Sequence, residues 1–555
     1  MSDCIQLKKS NCKDCYKCIR NCPVKSIKFS EHQAHIIPDE CILCGMCFVS
    51  CPQNAKQIRN DVDQVKALFE SGRPVYASVA PSFVANYEGI SIDSMERALQ
   101  KLGFAGASET AIGATIVKKE YENMIRRNKN SVIISSCCHS VNTLIQKYYP
   151  EALPYLAKVL SPMQAHCQKI KQEHPGAATV FIGPCISKKD EAEQYPEYVD
   201  VVLTFEELSG WLQEAEVAFD EIPDSQTKAR ARLFPTAGGI IRSMDLDEGM
   251  DYIAVDGVDQ CMTALDDILD HKIQNCFIEM SACKGSCVGG PVMDRERHMP
   301  VRDFVAVNRY AGTKDFDVTV PEAISKTMNF QGTRRQMPGS SAIDEILRQM
   351  GKTTPDQMLN CGSCGYNTCR DKAIAVFNGK ADLTMCLPYL KDKAENFSDK
   401  IINNTPNGII VLNEDLEIQQ INQAACEILN VGNASDVLNQ PIIRITDPTD
   451  YFLAVTNQEN VNGKEKYLAQ YKKYVEETII YDKEYHIVMI IMKDITNLEL
   501  ARNKKAEQSQ RAVEITDKVV EKQMRVVQEI ASLLGETTAE TKVALTKLKE
   551  TLRDE

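Results

Sequence analysis

No segment of this sequence is apolar for long enough to cross a bilayer as a helix. The longest apolar run toward the C-terminus, Ile487 to Met492, is strand-sized, whereas a spanning helix needs about 18 residues or more. An excess of positive charge is also missing. Sixty-four Lys and Arg stand against 77 Asp and Glu, a net charge of −13, the wrong sign for a surface that holds nucleic acid. The N-terminal MSDCIQLKKSNC has no apolar core of a secretory leader. Histidine is scarce, eight in 555 residues, and none follows His486. That excludes a phosphoacceptor histidine from the C-terminal tail. Cysteine is abundant: there are 22, many in C-x-x-C spacing. Without a leader, this favours metal binding over disulfides and a cytosolic location. The length suggests about three to five domains.

Residues 1–60 hold CKDCYKCIRNCP and CILCGMCFVSCP. Each is C-x2-C-x2-C-x3-C-P, the spacing of two-cluster bacterial ferredoxins, in which the fourth cysteine of each run ligates the other cluster. One 4Fe–4S cluster then takes Cys12, Cys15, Cys18 and Cys51. The other takes Cys41, Cys44, Cys47 and Cys22. Zinc is the alternative, but two full copies each ending in Cys-Pro argue against it. A further motif, CGSCGYNTCRDKAIAVFNGKADLTMC, offers Cys361, Cys364, Cys369 and Cys386. Four thiolates with a helix-like insert can hold one 4Fe–4S cluster or a zinc. This motif resembles the small four-cysteine 4Fe–4S domain of corrinoid Fe–S proteins and some hydrogenases.

Residues 61–350 alternate helical patterns such as SMERALQKLGF with the apolar segments PVYASVA (74–80), SVIISS (131–136), ATVFIG (178–183) and DVVLTF (200–205). That is an α/β pattern. Three cysteine stretches punctuate it: SSCCHS, GPCISKKDE and EMSACKGSCVGG. Their spacing and order resemble the signatures of the FeFe-hydrogenase catalytic domain. The resemblance implies that Cys138, Cys185, Cys283 and Cys287 hold a 4Fe–4S cluster. Cys287 would also bridge to a two-iron subsite carrying CO, cyanide and a dithiolate, the whole forming the H-cluster. Lys188 would contact a cyanide. Ala80, Pro81, Ser82, Pro184 and Phe234 would line the subsite, although Pro81 and Phe234 taken alone read as core. Two adjacent cysteines then make sense as a ligand and a neighbour: Cys138 binds the cluster, and Cys137 carries the proton. A proton carrier in a buried shell must gain and lose one reversibly, and a thiol can do so near its ordinary pKa of about 8.5. A lone Cys137 would read as a small buried hydrophobe.

The sequence also departs from the family pattern. His139 stands where the family has Pro, Ser281 where it has Met, and Met163 where it has Gln. Tyr121, Met124 and Ala157 occupy the places of two Glu and a Ser in the usual relay. An interrupted relay implies slow turnover or another exit, with Glu120, Glu122 and Glu279 as candidates. Sensory members of the family share this altered surrounding.

Residues 396–497 contain NGIIVLNEDLEIQQINQAACEILN and HIVMIIMKDIT. These read as strand, turn at Asn413–Asp415, strand, a helix opened by Asn422, and a closing strand. The pattern resembles a PAS domain. His486 and Cys426 read as structural. Residues 498–555 lack proline. Val513, Val520, Val527 and Leu534 repeat every seventh residue, with Met524 and Ala531 between them, a coiled-coil seam. Gly535 is expected to end that helix, and Thr537-x-x-Glu540 to open another. The expected result is a dimerising helical hairpin.

The expected fold is therefore multidomain α/β and α+β: ferredoxin-like (1–60), hydrogenase α/β (61–350), four-cysteine (351–395), PAS (396–497) and a C-terminal helical hairpin or coiled coil (498–555). The expected function is slow, reversible dihydrogen oxidation and proton reduction that reports through the PAS domain. The four-cysteine cluster would connect toward that domain. Expected partners are dihydrogen and protons, a ferredoxin-like electron partner, maturation enzymes, a separate kinase or phosphatase, and a second copy of the chain. The rivals are a metabolic ferredoxin-linked hydrogenase and a non-enzymatic Fe–S assembly or scaffold protein lacking the two-iron subsite.

Overall fold

The computed structural model describes residues 4–8, 11–127, 131–224, 228–294, 300–321, 323–332 and 337–551. It comprises two compact units, 1–390 and 391–555.

Two sheets organise the middle of the first unit. One has the strand order Gly106–Glu109, Val75–Val79, Ala178–Gly183, Val201–Thr204; the other, Asp251–Asp256, Cys276–Ser281, Ile133–Ile134. All their pairings are parallel. The sequence reason is plain in the central strands: every residue of Ala178–Gly183 and of Cys276–Ser281 is buried, as near-continuous apolar runs covered on both faces must be. SMERALQKLGF falls in the helix Ile92–Leu102, which Ser91 caps and Gly103 closes at φ 112°. All four apolar segments contain strands. SVIISS supplies only Ile133–Ile134, since the chain then leaves the sheet to enter the helix His139–Tyr148.

This topology positions the site. Ala80–Ser82, Pro184–Cys185, Cys283 and Cys137–Cys138 all follow the carboxyl ends of strands drawn from both sheets. Open parallel sheets bind their ligands at such ends.

The N-terminal cysteine segment packs against this scaffold. Ile5–Leu7 pairs antiparallel with Lys56–Ile58, and Ile27–Ser30 with Gln33–Ile36. Gly45, inside the second ferredoxin-type motif, sits at φ +74°, and a Cβ there would lie 2.6 Å from Pro291 Cβ. Gly45→Ala is therefore expected to strain the left-handed backbone by about 1–2 kcal/mol and to push this motif off the α/β scaffold. A lower thermal midpoint would register it. The four-cysteine segment docks on the first ferredoxin-type motif and the residues just after it. Arg20, in the helix Lys17–Asn21, donates to Gly362 O and Ser363 O, each at 3.3 Å, and Lys25 Nζ donates to Gly365 O at 3.1 Å. The insert before Cys386 is helical over Cys369–Phe377, opened by a Thr368–Asp371 capping box.

The second unit holds an antiparallel five-stranded sheet in the order Ile418–Ile421, Gly408–Asn413, Ile487–Asp494, Lys473–Asp482, Val461–Leu468. Asn422 opens the expected helix by accepting from Ala425 N at 2.9 Å. Asn413 Oδ1 closes the turn by accepting from Glu417 N at 2.8 Å. Cys426 is core. His486, expected among strand residues, lies just before the last strand at φ 54° and bonds Glu414 at 2.9 Å. The expected hairpin at Gly535 is not formed: Thr496–Thr551 is a single helix. The Thr537 hydroxyl donates back to Leu533 O within the helix rather than capping a new one. Four-residue back-bonding of this kind is open to any mid-helix threonine.

Candidate active site

Cys138, Cys185, Cys283 and Cys287 line one cavity of about 120 Å³. Ala80, Pro81, Ser82, Pro184, Phe234, Cys137 and Lys188 form its walls with them. Burial pushes the Cys138, Cys283 and Cys287 thiols above their ordinary range, and repulsion from the neighbouring thiolates adds to it. A ring of cavity-lining thiols that resists its own ionisation suits a cationic group that takes up the charge, and soft thiolates suit iron–sulfur clusters. Ser82 Oγ is buried with no hydrogen-bond partner, a donor left over for whatever fills the cavity. The residues fit an H-cluster.

The other cysteine sets also gather. Burial raises Cys18 to about 11, with Cys12, Cys15 and Cys51 adding to the effect. Cys47 is raised by burial and then by Cys41, Cys44 and Cys22. The fourth cysteine of each run thus lies near the first three of the other. Cys361, Cys364, Cys369 and Cys386 line one small cavity. Two contacts join the sets. Cys44 lines the main cavity and adds to the rise of Cys283. Tyr16 lies within electrostatic reach of both Cys12 and Cys364.

Lys188 is fixed by a buried ionic network. Its ammonium donates to Cys137 O at 3.0 Å and to the Glu191 carboxylate. Glu191, 0% exposed, also accepts from Lys326 Nζ at 2.7 Å and Ser161 Oγ at 3.1 Å. Burial opposes its charge, but Lys188 and Lys326 outweigh burial and hold the carboxyl far below the usual range. Burial likewise works against the Lys188 ammonium, and Glu191 overcomes it. Sequence reasoning missed Lys326, which comes from an irregular segment 135 residues beyond Glu191; no motif marks it.

Cys137 sits at the cavity edge with Tyr121 OH 3.2 Å from its sulfur. Burial pushes its thiol up to about 12, against the opposing pull of Tyr121 and Lys188. The free-thiol value expected from sequence is therefore shifted upward, and Cys137 is held as a neutral thiol. From Tyr121 OH the hydrogen bonds continue to Ser136 Oγ at 3.2 Å, which donates to Val159 O at 3.1 Å. A carbonyl accepts a proton's hydrogen bond but cannot pass the proton on.

Of the three candidate exit carboxylates, Glu279 lines the cavity. Glu122 accepts from Asp245 N at 2.9 Å and Glu120 from Asn123 at 3.2 Å, and neither is on the cavity wall. Burial raises Glu279 to about 7, partly offset by the N–H groups of Ile241, Ile240 and Gly238. The folded state thus holds this proton more tightly than the unfolded chain does, so stability falls as pH rises from about 4.5 to 7. On the order of 3 kcal/mol rides on a shift of that size. Glu279→Gln is expected to flatten that fall in denaturant titrations at pH 5 and pH 8, and unchanged slopes would refute it.

His139, in place of the family proline, bonds Asp190 through Nε2 at 2.9 Å, and its buried Nδ1 has no partner. Met163 is on the cavity wall, while Met124 and Ala157 pack in an apolar cluster.

Residues 73–291 match the family of the iron only hydrogenase large subunit, C-terminal domain. Residues 34–57 match a 4Fe-4S binding domain, 357–388 an Fe-S cluster family, and 396–531 the PAS fold. The periplasmic Fe hydrogenase large subunit of Nitratidesulfovibrio vulgaris is 27% identical over 388 residues, 56% of this chain and 91% of the relative. A cytosolic Fe-S cluster assembly factor of Kluyveromyces lactis is 24% identical over 200 residues, 32% of this chain and 42% of the factor. Among solved structures, a variant of the FeFe-hydrogenase of Chlamydomonas reinhardtii aligns at 17% identity and TM-score 0.38, covering 50% of this chain and all of that one. Among the described residues no helix is long and apolar enough to cross a membrane.

Proposed function

We infer that this chain, which carries an iron-only hydrogenase large-subunit domain together with iron–sulfur and PAS domains, is a slow FeFe-hydrogenase that senses dihydrogen. The observation that carries the reading is the convergence of Cys138, Cys185, Cys283 and Cys287 on one cavity, with Cys137 and Lys188 on its wall and Cys44 beside Cys283. Those four thiols would hold the H-cluster, which would supply the redox-active irons at which dihydrogen is split or formed.

The chain's own residues do the rest. Lys188, held charged by Glu191, presents a fixed cation to the cavity, while the Ser82 hydroxyl offers a free donor. The neutral thiol of Cys137 exchanges protons with the cavity, and Glu279, raised to about 7 by burial on the same cavity wall, would take them. Electrons would pass from the cavity through the Cys41, Cys44, Cys47 and Cys22 cluster to the Cys12, Cys15, Cys18 and Cys51 cluster. Cys361, Cys364, Cys369 and Cys386 would hold a third cluster reached past Tyr16, and the helix Leu387–Asn404 starts at the residue after Cys386. The branch from Cys137 that ends on the Val159 carbonyl supports low turnover, and the PAS domain supports a reporting role. Dihydrogen and protons are then the substrates, and maturation enzymes, a ferredoxin-like electron carrier and a separate kinase or phosphatase the partners. Val513, Val520, Val527 and Leu534 are all more than half exposed along the C-terminal helix, which supports pairing with a second copy. Val520→Glu with Val527→Glu is expected to turn a dimer into a monomer in sedimentation. The cysteine-rich composition supports a reducing compartment such as the cytosol.

The deciding experiment is infrared spectroscopy of anaerobically purified, maturated protein, before and after dihydrogen is admitted. Fe–CO and Fe–CN bands that shift under dihydrogen support the reading, and turnover then separates a sensor from a metabolic enzyme. Absence of bands after competent maturation favours a scaffold, the reading that the assembly-factor relative supports.

A further inference from the structure

A second chain of polar side chains leaves the main cavity on a side that the cysteine signatures do not mark. Thr110 lies on the cavity wall. Its hydroxyl is 2.8 Å from Ser78 Oγ. Ser78 Oγ is 2.8 Å from His166 Nδ1, and His166 Nε2 is 3.1 Å from Ser108 Oγ. Thr110, Ser78 and His166 are buried, whereas Ser108 is only partly buried. Three unbroken hydrogen bonds therefore connect the cavity wall to a side chain that reaches solvent.

The fold invests in this arrangement. Ser78 and Ser108 stand on neighbouring parallel strands, at paired positions. His166, in the helix Pro162–Glu173, is pressed toward them because the facing helix carries Gly113. A Cβ at Gly113 would lie 2.7 Å from His166 N and 2.2 Å from Pro162 O.

We propose that Thr110, Ser78, His166 and Ser108 form a proton path between the main cavity and solvent. The chemistry of the partners distinguishes it from a histidine that is merely satisfied. Each link joins a hydroxyl to a hydroxyl or to imidazole, groups that both donate and accept, so the chain can pass a proton in either direction. The Cys137 branch ends instead on a carbonyl, which only accepts. A proton arriving at Thr110 Oγ displaces the Thr110 proton onto Ser78. Ser78 passes its own to His166 Nδ1, His166 releases one from Nε2 to Ser108, and Ser108 gives one to water. Each O–H or N–H bond broken is matched by one formed on the next atom. His166 stays neutral overall but changes tautomer, and must change back before the next transfer. Burial, which favours the neutral ring, suits this concerted mode.

The path serves the hydrogenase reading but can be tested apart from it. The full chain, labelled with 15N-histidine, is compared with Thr110→Val and Ser108→Ala, each of which removes one hydroxyl at an opposite end. Eight histidines keep the spectrum assignable, and His166→Gln identifies the His166 signals. The expected wild-type result is ring-nitrogen shifts averaged between the two tautomers, with both variants fixing a single tautomer. In maturated protein with unchanged Fe–CO bands, both variants are expected to lower dihydrogen turnover about tenfold. A fixed tautomer in the wild type overturns the path, as does turnover that neither variant changes. If the wild type shows no Fe–CO bands, the hydrogenase reading fails, and tautomer averaging that both variants abolish still establishes the path. Should Thr110→Val fail to fold, Ser108→Ala at the partly buried outer end decides alone.

Discussion

Cys137→Ala is expected to lower dihydrogen turnover by about 100-fold or more while leaving the infrared bands of the H-cluster in place. Positioned acid–base groups contribute about 10²–10⁴-fold, and Cys137 is a titratable side chain on the cavity wall next to Cys138, a proposed cluster ligand. The thiol is small and only partly buried, so alanine removes one sulfur atom and little packing. The variant also severs the contact with Tyr121 OH at 3.2 Å, which leaves that phenol bonded to Ser136. Turnover measured per intact H-cluster separates lost proton transfer from lost metal. Intact bands with wild-type turnover would remove Cys137 from the mechanism and shift the proton traffic to Glu279 or to the Thr110 side.

The proposed cluster-ligand sets could be read from the sequence because ligand spacing is a local property. C-x2-C-x2-C-x3-C-P, once doubled, already pairs Cys51 with the first run, and the fold brings that set together. The parallel strands were legible for a similar reason: buried strands such as Ala178–Gly183 are continuous apolar runs. The surroundings of the cavity were not. Lys326 reaches Glu191 from a segment without regular structure, and Thr110, Ser78, His166 and Ser108 meet only when two strands and a helix pack. Their spacing, 32 residues from Ser78 to Thr110 and 88 from Ser78 to His166, leaves no periodic trace. The C-terminal helix failed differently. Gly535 and the Thr537–Glu540 pattern are genuine local stop and start signals. They weigh about 1 kcal/mol each, too little to break a helix that propagates unopposed on both sides.

Glu191→Gln is expected to destabilise the α/β domain by about 3–5 kcal/mol, the usual result of leaving buried charge uncompensated. Glu191 is fully buried between two ammonium groups, Lys188 and Lys326. Glutamine keeps the shape and removes the charge, so both ammoniums face burial without their anion. Lys326, whose pKa burial already lowers, would be the first to lose its proton. Adding Lys326→Met to Glu191→Gln removes one of the orphaned cations and is expected to recover part of the loss. Residues in one ionic network couple by about 0.5–3 kcal/mol, so a double-mutant cycle in denaturant measures the network directly. The same series bears on the cavity. With Glu191 neutral, the Lys188 ammonium keeps its bond to Cys137 O at 3.0 Å but loses its anionic partner, and its charge on the cavity wall is no longer fixed. A shift of the Fe–CN bands in Glu191→Gln that returns in Glu191→Asp would mean that Glu191 acts on the site through Lys188. Lost stability with unmoved bands would confine the network to holding the fold.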